Sequence, residues 1–253
     1  MAISETPQPL PPSSGAVPKA RTAFGILGAI SVSHLLNDMI QSLILAIYPL
    51  LQNEFSLSFL QIGMITLTFQ LSSSLLQPVV GYWTDKHPMP WSLPVGMCFT
   101  LSGLVLLALS GSFETVLIAA ALVGTGSSVF HPESSRVARM ASGGRHGLAQ
   151  SIFQVGGNFG SSLGPLLAAI IIAPYGKGNV AWFVLAALLA IVVLAQVSRW
   201  YAAQHRVNKG KNAATVINPL PRNKVVLAVC ILLVLIFSKY FYMASISSYY
   251  TFY

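Results

Sequence analysis

Near the start of the chain four polar side chains interrupt an apolar run: His34, Asn37, Asp38 and Gln41. Offsets of three, four and seven put them on one face of a helix, about midway along it. Ionisable groups are costly in an apolar setting and tend to be functional there. A carboxylic acid one turn from an imidazole is a pair that accepts a proton and passes it on, which makes Asp38 and His34 candidates for proton handling. The competing use of the same residues is structural: Asn, Gln and His side chains also bond neighbouring helices together.

A second group is Phe130-His131-Pro132-Glu133-Ser134-Ser135-Arg136. Proline removes a backbone donor and disturbs a helix, leaving carbonyls free to meet a ligand. Glu133 and Arg136, three residues apart, either serve proton and substrate handling or simply pair on the helix rim. His131 lies deeper in the apolar run and is the better cavity residue. Gln150, Gln154 and Asn158 recur at steps of four, and Gln70, Ser74 and Gln77 share another face. Such stripes line an aqueous cavity or bond helices to one another. Lys239 stands inside an apolar run and must face a cavity or a counter-charge. Gly126-Ser127-Ser128, near buried histidines, raises a serine nucleophile, but no spacing argues a nucleophile–base pair. Cys98 and Cys230 lie in separate apolar runs with no metal spacing, and the sequence calls for no metal ion or cofactor.

The elements that hold these residues follow from composition. Hydrophobic residues make up 54% of the 253 and charged residues only 8%, with a mean hydropathy of +0.69. A soluble domain carries about 25% charged residues to solvate its surface. The surface here faces lipid. The net charge of +8 would suggest a nucleic-acid partner in a soluble protein, but it is accounted for by positive residues kept on one side of a membrane.

Residues 1–22, rich in Pro and Ser, read as a disordered tail without the h-region and cleavage site of a signal peptide. Seven apolar stretches follow: Phe24–Leu51, Phe59–Val80, Leu93–Ser110, Thr115–Val137, Leu148–Ala173, Val180–Tyr201 and Val225–Tyr253. Each is near the roughly 20 residues that cross the hydrocarbon core, and lipid forces them to be helices. Twelve of the 14 basic residues fall on the side of the N-terminus, which the positive-inside rule makes cytoplasmic. The outer loops hold Lys177, beside Glu54 and Glu114. The expected organisation is a tail at 1–22, six transmembrane helices in 23–201, a basic cytoplasmic linker at 202–223 and a seventh helix in 224–253. A linker and a single further helix read as a repeat that has only begun again, so the sequence predicts an incomplete protein.

Gly81-Tyr82-Trp83-Thr84-Asp85-Lys86 resembles the loop between the second and third helices of the major facilitator superfamily. That signature is Gly, three residues, Asp, then a basic residue. The pattern then departs, with Pro88 in place of Gly and Met89-Pro90 in place of a basic pair. The resemblance implies a gating role for Gly81, Asp85 and Lys86, with Asp85 docking to hold one transport state. Gly160 and Gly164-Pro165 resemble the fifth-helix packing motif of the family's drug–proton antiporters, although Ala168 and Ala169 replace its trailing glycines. Gly124 and Gly126 match the fourth-helix motif, but Ala120 stands at its Arg position. Proton relay must therefore fall to His34, Asp38, His131 or Glu133.

Ser33-His34-Leu35-Leu36-Asn37-Asp38, Phe130-His131-Pro132-Glu133 and Gly143-Gly144-Arg145-His146-Gly147 are similar to a narrower group within that superfamily, bacterial exporters of phosphonate antibiotics. The resemblance implies a twelve-helix antiporter of the bacterial inner membrane, with about seven helices present here, working by alternating access. It makes Asp38, His34 and Glu133 the proton-coupling candidates. The substrate-binding candidates are His34, Asn37, Gln41, His131, Arg136, Gln154, Asn158 and Lys239, because an anionic phosphonate wants cationic and hydrogen-bonding partners. The partners are then a small molecule, protons, the lipid bilayer and a second half that completes the cavity, with no nucleic acid and no enzymatic activity. Two rivals remain at this point. Seven helices with Lys239 in the last fit a retinal protein, though Leu235 stands one turn before it, and Ser127 leaves open an intramembrane serine hydrolase.

Overall fold

The computed structural model describes residues 21–209 and 221–250, and all regular structure among them is helical. The chain divides into two compact units, Met1–Val207 and Asn208–Tyr253. The first contains α1 (Phe24–Ala46), α2 (Tyr48–Phe55), α3 (Phe59–Gln70), α4 (Leu76–Lys86), α5 (Ser92–Ala108), α6 (Phe113–Ala141), α7 (His146–Leu167), the short α8 (Ala173–Tyr175) and α9 (Phe183–Lys209). The second contributes α10 (Arg222–Tyr250). Among the described residues, five helical stretches are long and apolar enough to cross a membrane, and Ser92–Ala108 is a shorter apolar helix.

The residues expected to form a tail lie outside the described residues up to position 20. Thr22, by contrast, is tied down: its Oγ1 donates to the Ser142 carbonyl at 2.9 Å, and the next amide, Ala23, donates to the Ala141 carbonyl at 2.8 Å. The first expected span breaks at Ile47, because Pro49 opens a new helix in α2. The last span of the first unit continues to Lys209, which reaches into the segment expected to be a linker. The rest of that segment, 210–220, lies outside the described residues.

Two π-helical turns, Leu71–Leu75 and Ala168–Ile172, interrupt the long spans. Each contains the carbonyl that a later proline cannot bond, Ser74 for Pro78 and Ile170 for Pro174. A proline lacks the N–H of the i→i−4 ladder, and a widened turn absorbs the break without ending the helix.

Small residues bring the helices together in two pairs. On α7, Gly156, Gly160 and Gly164 lie directly on the backbone of α1 at Ser31, Leu35 and Met39. On α5 and α6, Gly96, Gly103 and Gly126 make the same close approach to the facing helix. In lipid, where burial of apolar surface drives little, such backbone contact is what holds helices. We therefore expect Gly160→Leu to prise α1 from α7. Its side chain would collide with the Leu35 backbone, and overpacking of this kind costs about 1–3 kcal/mol or more. Melting of the detergent-purified protein should show a lowered transition. Gly147→Ala, at a position with open space, should not.

At the opposite end of the bundle from the α6–α7 turn, Lys177 is almost fully buried. It pairs with Glu54 at 3.0 Å, bonds the Ser110 hydroxyl at 3.0 Å and carbonyl, and lies 4.4 Å over the Phe55 ring. This one cation ties the end of α2 to the α5–α6 and α8–α9 connections.

Candidate functional site

The polar face of α1 meets α6 and α7 in a single cluster. His34 and Asp38 are i,i+4 neighbours, with Nε2 3.2 Å from Oδ2. Across the bundle, His131 of α6 brings its Nε2 to 3.4 Å from Asp38 Oδ1. One carboxylate thus joins two imidazoles, each ring facing a different oxygen. Asn37 and Gln41 donate amide N–H to Asp38 Oδ1 at 3.0 and 3.4 Å. The His34 side chain is 3% exposed, against 17% for Asp38 and 28% for His131, so the cluster opens on the His131 side.

The packing explains why the rings sit so. Gly157 has no side chain because the His34 ring occupies that space. Phe153, one turn earlier on α7, stacks on the same ring at 4.0 Å and 16°. Its carbonyl lies 2.8 Å from His34 Nδ1. A carbonyl only accepts, so Nδ1 carries the hydrogen. His131 is fixed by a longer chain of bonds. The Ser127 hydroxyl donates to Gln41 Oε1 at 3.1 Å, which leaves its lone pairs for His131 Nδ1 at 3.1 Å, and the Ser127 carbonyl lies 3.0 Å from the same atom. Both rings therefore carry Nδ1–H and turn Nε2 toward the carboxylate.

The cluster contains a Ser–His–Asp sequence of contacts, Ser127 to His131 to Asp38. It is not set up as a nucleophile. Ser127 is 1% exposed, and its hydroxyl proton is committed to Gln41.

Glu133 is not part of this cluster. It is fully buried and pairs with Arg136, Oε1 to Nη1 at 2.8 Å. Arg136 then reaches across to α4, donating to the Thr84 carbonyl at 2.8 Å and the Thr84 hydroxyl at 3.1 Å, and pairing with Asp85. Glu133, Arg136 and Asp85 make one chain of charges between α6 and the end of α4. Gly81 faces Pro132 at the same seam. Lys86 bonds Tyr82 through its hydroxyl and ring. A cavity of about 580 Å³ lies here, lined by Gly81, Asp85, Arg136, Arg139, His146 and Gln150 among others.

On α7, Gln154 and Asn158 are exposed and bonded to each other at 3.2 Å, and Gln150 bonds Ser135 at 2.8 Å. The motif residues Gly160 and Gly164 pack on α1, and Pro165 lines a small cleft beside Ala46 and Ile47. Lys239 belongs to α10, in the second unit. The sequence points to Ser127 only as a possible nucleophile, gives Gly157 and Thr84 no role in a site, and does not single out Phe153. Thr84 stands within the quoted loop signature, and Gly157 within the glycine run of α7.

A model of the Major Facilitator Superfamily matches residues 30–253. The chain belongs to the Major Facilitator Superfamily. It is a multi-pass membrane protein of a transporter family, which sets aside the retinal-protein and serine-hydrolase alternatives. It is 87% identical over all 253 residues to the Fosmidomycin resistance protein of Escherichia coli (strain K12), and covers 62% of that protein. It is 43% identical over 235 residues, 92% of this chain and 58% of the other, to the MFS-type transporter YfnC of Bacillus subtilis (strain 168). The chain thus spans about three fifths of the length of these relatives. Among solved structures, a bacterial homologue of the lysosomal transporter Spinster superposes with a TM-score of 0.56 at 20% identity, over 72% of this chain and 43% of that one. A peptide transporter, POT, superposes at 0.53 and 19% identity, over 90% of this chain and 48% of the other. These two likenesses speak to the fold alone.

Proposed function

We propose that this chain supplies the proton-coupling part of a secondary transporter. The transporter exports an anionic phosphonate antibiotic of the fosmidomycin type from bacteria, in exchange for protons and by alternating access. The observation that carries the reading is the half-buried carboxylate of Asp38 held between two imidazoles, 3.2 and 3.4 Å away, in a bundle of superfamily fold. Such a cluster offers a place for a proton midway along a membrane span. The 87% identity to the Fosmidomycin resistance protein of Escherichia coli supports the substrate.

In this reading Asp38 carries the coupled proton with His34, and His131, on the open side, alternates between the proton and the anionic substrate. Gln154 and Asn158 of α7, with Asn37 and Gln41 behind, form the polar wall of the cavity. Glu133, Arg136 and Asp85 hold α4 against α6 and gate rather than couple, with Gly81 allowing the close approach. The excess of basic residues at 19–21, 86, 136–145 and 199–224 supports a cytoplasmic N-terminus in the inner membrane. A second helical bundle, corresponding to the length of the relatives that this chain does not match, would form the opposite wall.

The test is a chimera joining this chain to the part of the Escherichia coli relative outside the matched 62%. In everted vesicles energised by respiration, adding fosmidomycin should dissipate the proton gradient. A susceptible strain should regain resistance. Fosmidomycin transport that leaves the gradient untouched would remove the antiport mechanism, and no transport by a well-inserted chimera would remove the substrate.

A further inference from the structure

Three lone-pair donors converge on one point in the α1–α6 cluster with no hydrogen of their own between them. His34 Nδ1–H is spent on the Phe153 carbonyl at 2.8 Å, and His131 Nδ1–H on the Ser127 carbonyl at 3.0 Å. A neutral imidazole with its hydrogen on Nδ1 has a bare Nε2. Both bare nitrogens look at the carboxylate of Asp38, at 3.2 and 3.4 Å. This arrangement is stable only when something positive sits between them. A proton is one answer. A metal ion is the other.

We infer that His34 Nε2, His131 Nε2 and the Asp38 carboxylate form a binding site for a zinc-class divalent metal ion. Three features of the geometry support a metal. The ligating atoms lie within 4.8 Å of one another. Two atoms bound at about 2.0–2.1 Å to a tetrahedral zinc ion stand about 3.3–3.4 Å apart, close to the 3.4 Å of His131 Nε2 from Oδ1 and the 3.2 Å of His34 Nε2 from Oδ2, so a carboxylate bound through either oxygen has this spacing to one of the two rings. Finally, a metal-bound histidine characteristically donates its second N–H to a carbonyl, which fixes the tautomer and the ring plane. Both rings do so, and both carbonyls belong to helices that the bundle holds rigid. The His34 ring is further clamped by Phe153 at 4.0 Å.

The donor set chooses among metals. Two imidazoles and one carboxylate suit zinc and its first-row neighbours, whereas magnesium and calcium prefer all-oxygen shells. Three protein ligands leave a fourth position on the side where His131 and Asp38 reach the surface, open to water or an anionic oxygen donor. The site's affinity is independent of whether the chain moves a phosphonate, so its test is a binding measurement and not a transport assay.

The detergent-purified chain should bind one Zn²⁺ by isothermal titration with zinc chloride, undiminished by excess magnesium. His131→Gln should lower that affinity at least as much as the roughly 10–100-fold that loss of a zinc site's supporting partner costs, and Asp38→Asn should do the same. A variant with His87, His146 and His205 all changed to Gln removes the other histidines of the chain and should bind as before. If this variant loses the binding, or if His131→Gln keeps it, the inference fails. Because His131→Gln can disturb folding, Co²⁺ absorption of the unaltered protein gives a second reading. Intense visible bands of a four-coordinate ion with imidazole donors are expected. A weak, six-coordinate spectrum would overturn the site.

Discussion

Asp38→Asn is expected to abolish proton movement driven by the phosphonate in everted vesicles carrying the chimera, while the protein still inserts in the membrane at normal levels. The substitution keeps the size of the side chain and one acceptor oxygen. It exchanges the other oxygen for an amide that cannot hold a negative charge or release a proton. The two imidazoles at 3.2 and 3.4 Å then lose the anion between them, and an N–H takes the place of one acceptor. Loss of a positioned acid–base group costs roughly 10²-fold or more in proton transfer. Coupled flux should fall by that scale. Exchange of labelled substrate for unlabelled, which needs no net proton movement, should survive better than coupled export. If the variant's dye-reported proton flux matches the unaltered protein, Asp38 is not the carrier.

How much of this site can be read from residues in order depends on how far apart its partners lie. The His34–Asp38 contact follows from a spacing of four on a helix, and Glu133–Arg136 from a spacing of three. Each is a local consequence of the helix repeat. The contact of His131 with Asp38 is different. It joins residues 93 positions apart, and whether it forms depends on how closely the helices approach. That approach is set by glycines whose role is visible only once the partner is known. Gly157 reads as a generic packing residue in the sequence, yet its lack of a Cβ is what admits the His34 ring. The tautomers are further from reach still, because they rest on the Phe153 and Ser127 carbonyls, and every residue has a carbonyl. The loop signature shows the same division. Its Asp85 is legible, but the partner it meets, Arg136, lies 51 residues away. In the sequence Arg136 reads equally well as a substrate ligand. The helical spans themselves were legible because length and apolarity are local. The breaks at Ile47 and at the π turns follow from prolines whose effect on a helix differs from site to site.

Arg136→Ala is expected to lower the stability of the bundle severely. Glu133 is fully buried, and among the described residues its Oε2 has no hydrogen-bond partner. Its other oxygen relies on the Arg136 guanidinium at 2.8 Å. Removing the cation leaves a carboxylate in the bundle with nothing to offset its loss of water, a change that costs about 3–5 kcal/mol. That is a large share of the roughly 5–15 kcal/mol that keeps a protein folded. The two Thr84 bonds, at 2.8 and 3.1 Å, go with it and free the end of α4. Purified from membranes, the variant should aggregate or melt far below the unaltered protein. Asp85→Asn touches the same guanidinium, but the Asp85 side chain is 73% exposed, and exposed pairs contribute about 0–1 kcal/mol. It should melt almost normally while transport slows, since the contact it weakens is the one between α4 and α6. The decisive comparison is Glu133→Gln combined with Arg136→Ala. If the cost of Arg136→Ala is the stranded charge, neutralising Glu133 should restore more than half of the lost melting temperature. If the double variant is as unstable as Arg136→Ala alone, the guanidinium stabilises the bundle through Thr84 and packing, and Glu133 is not held in place as an ion.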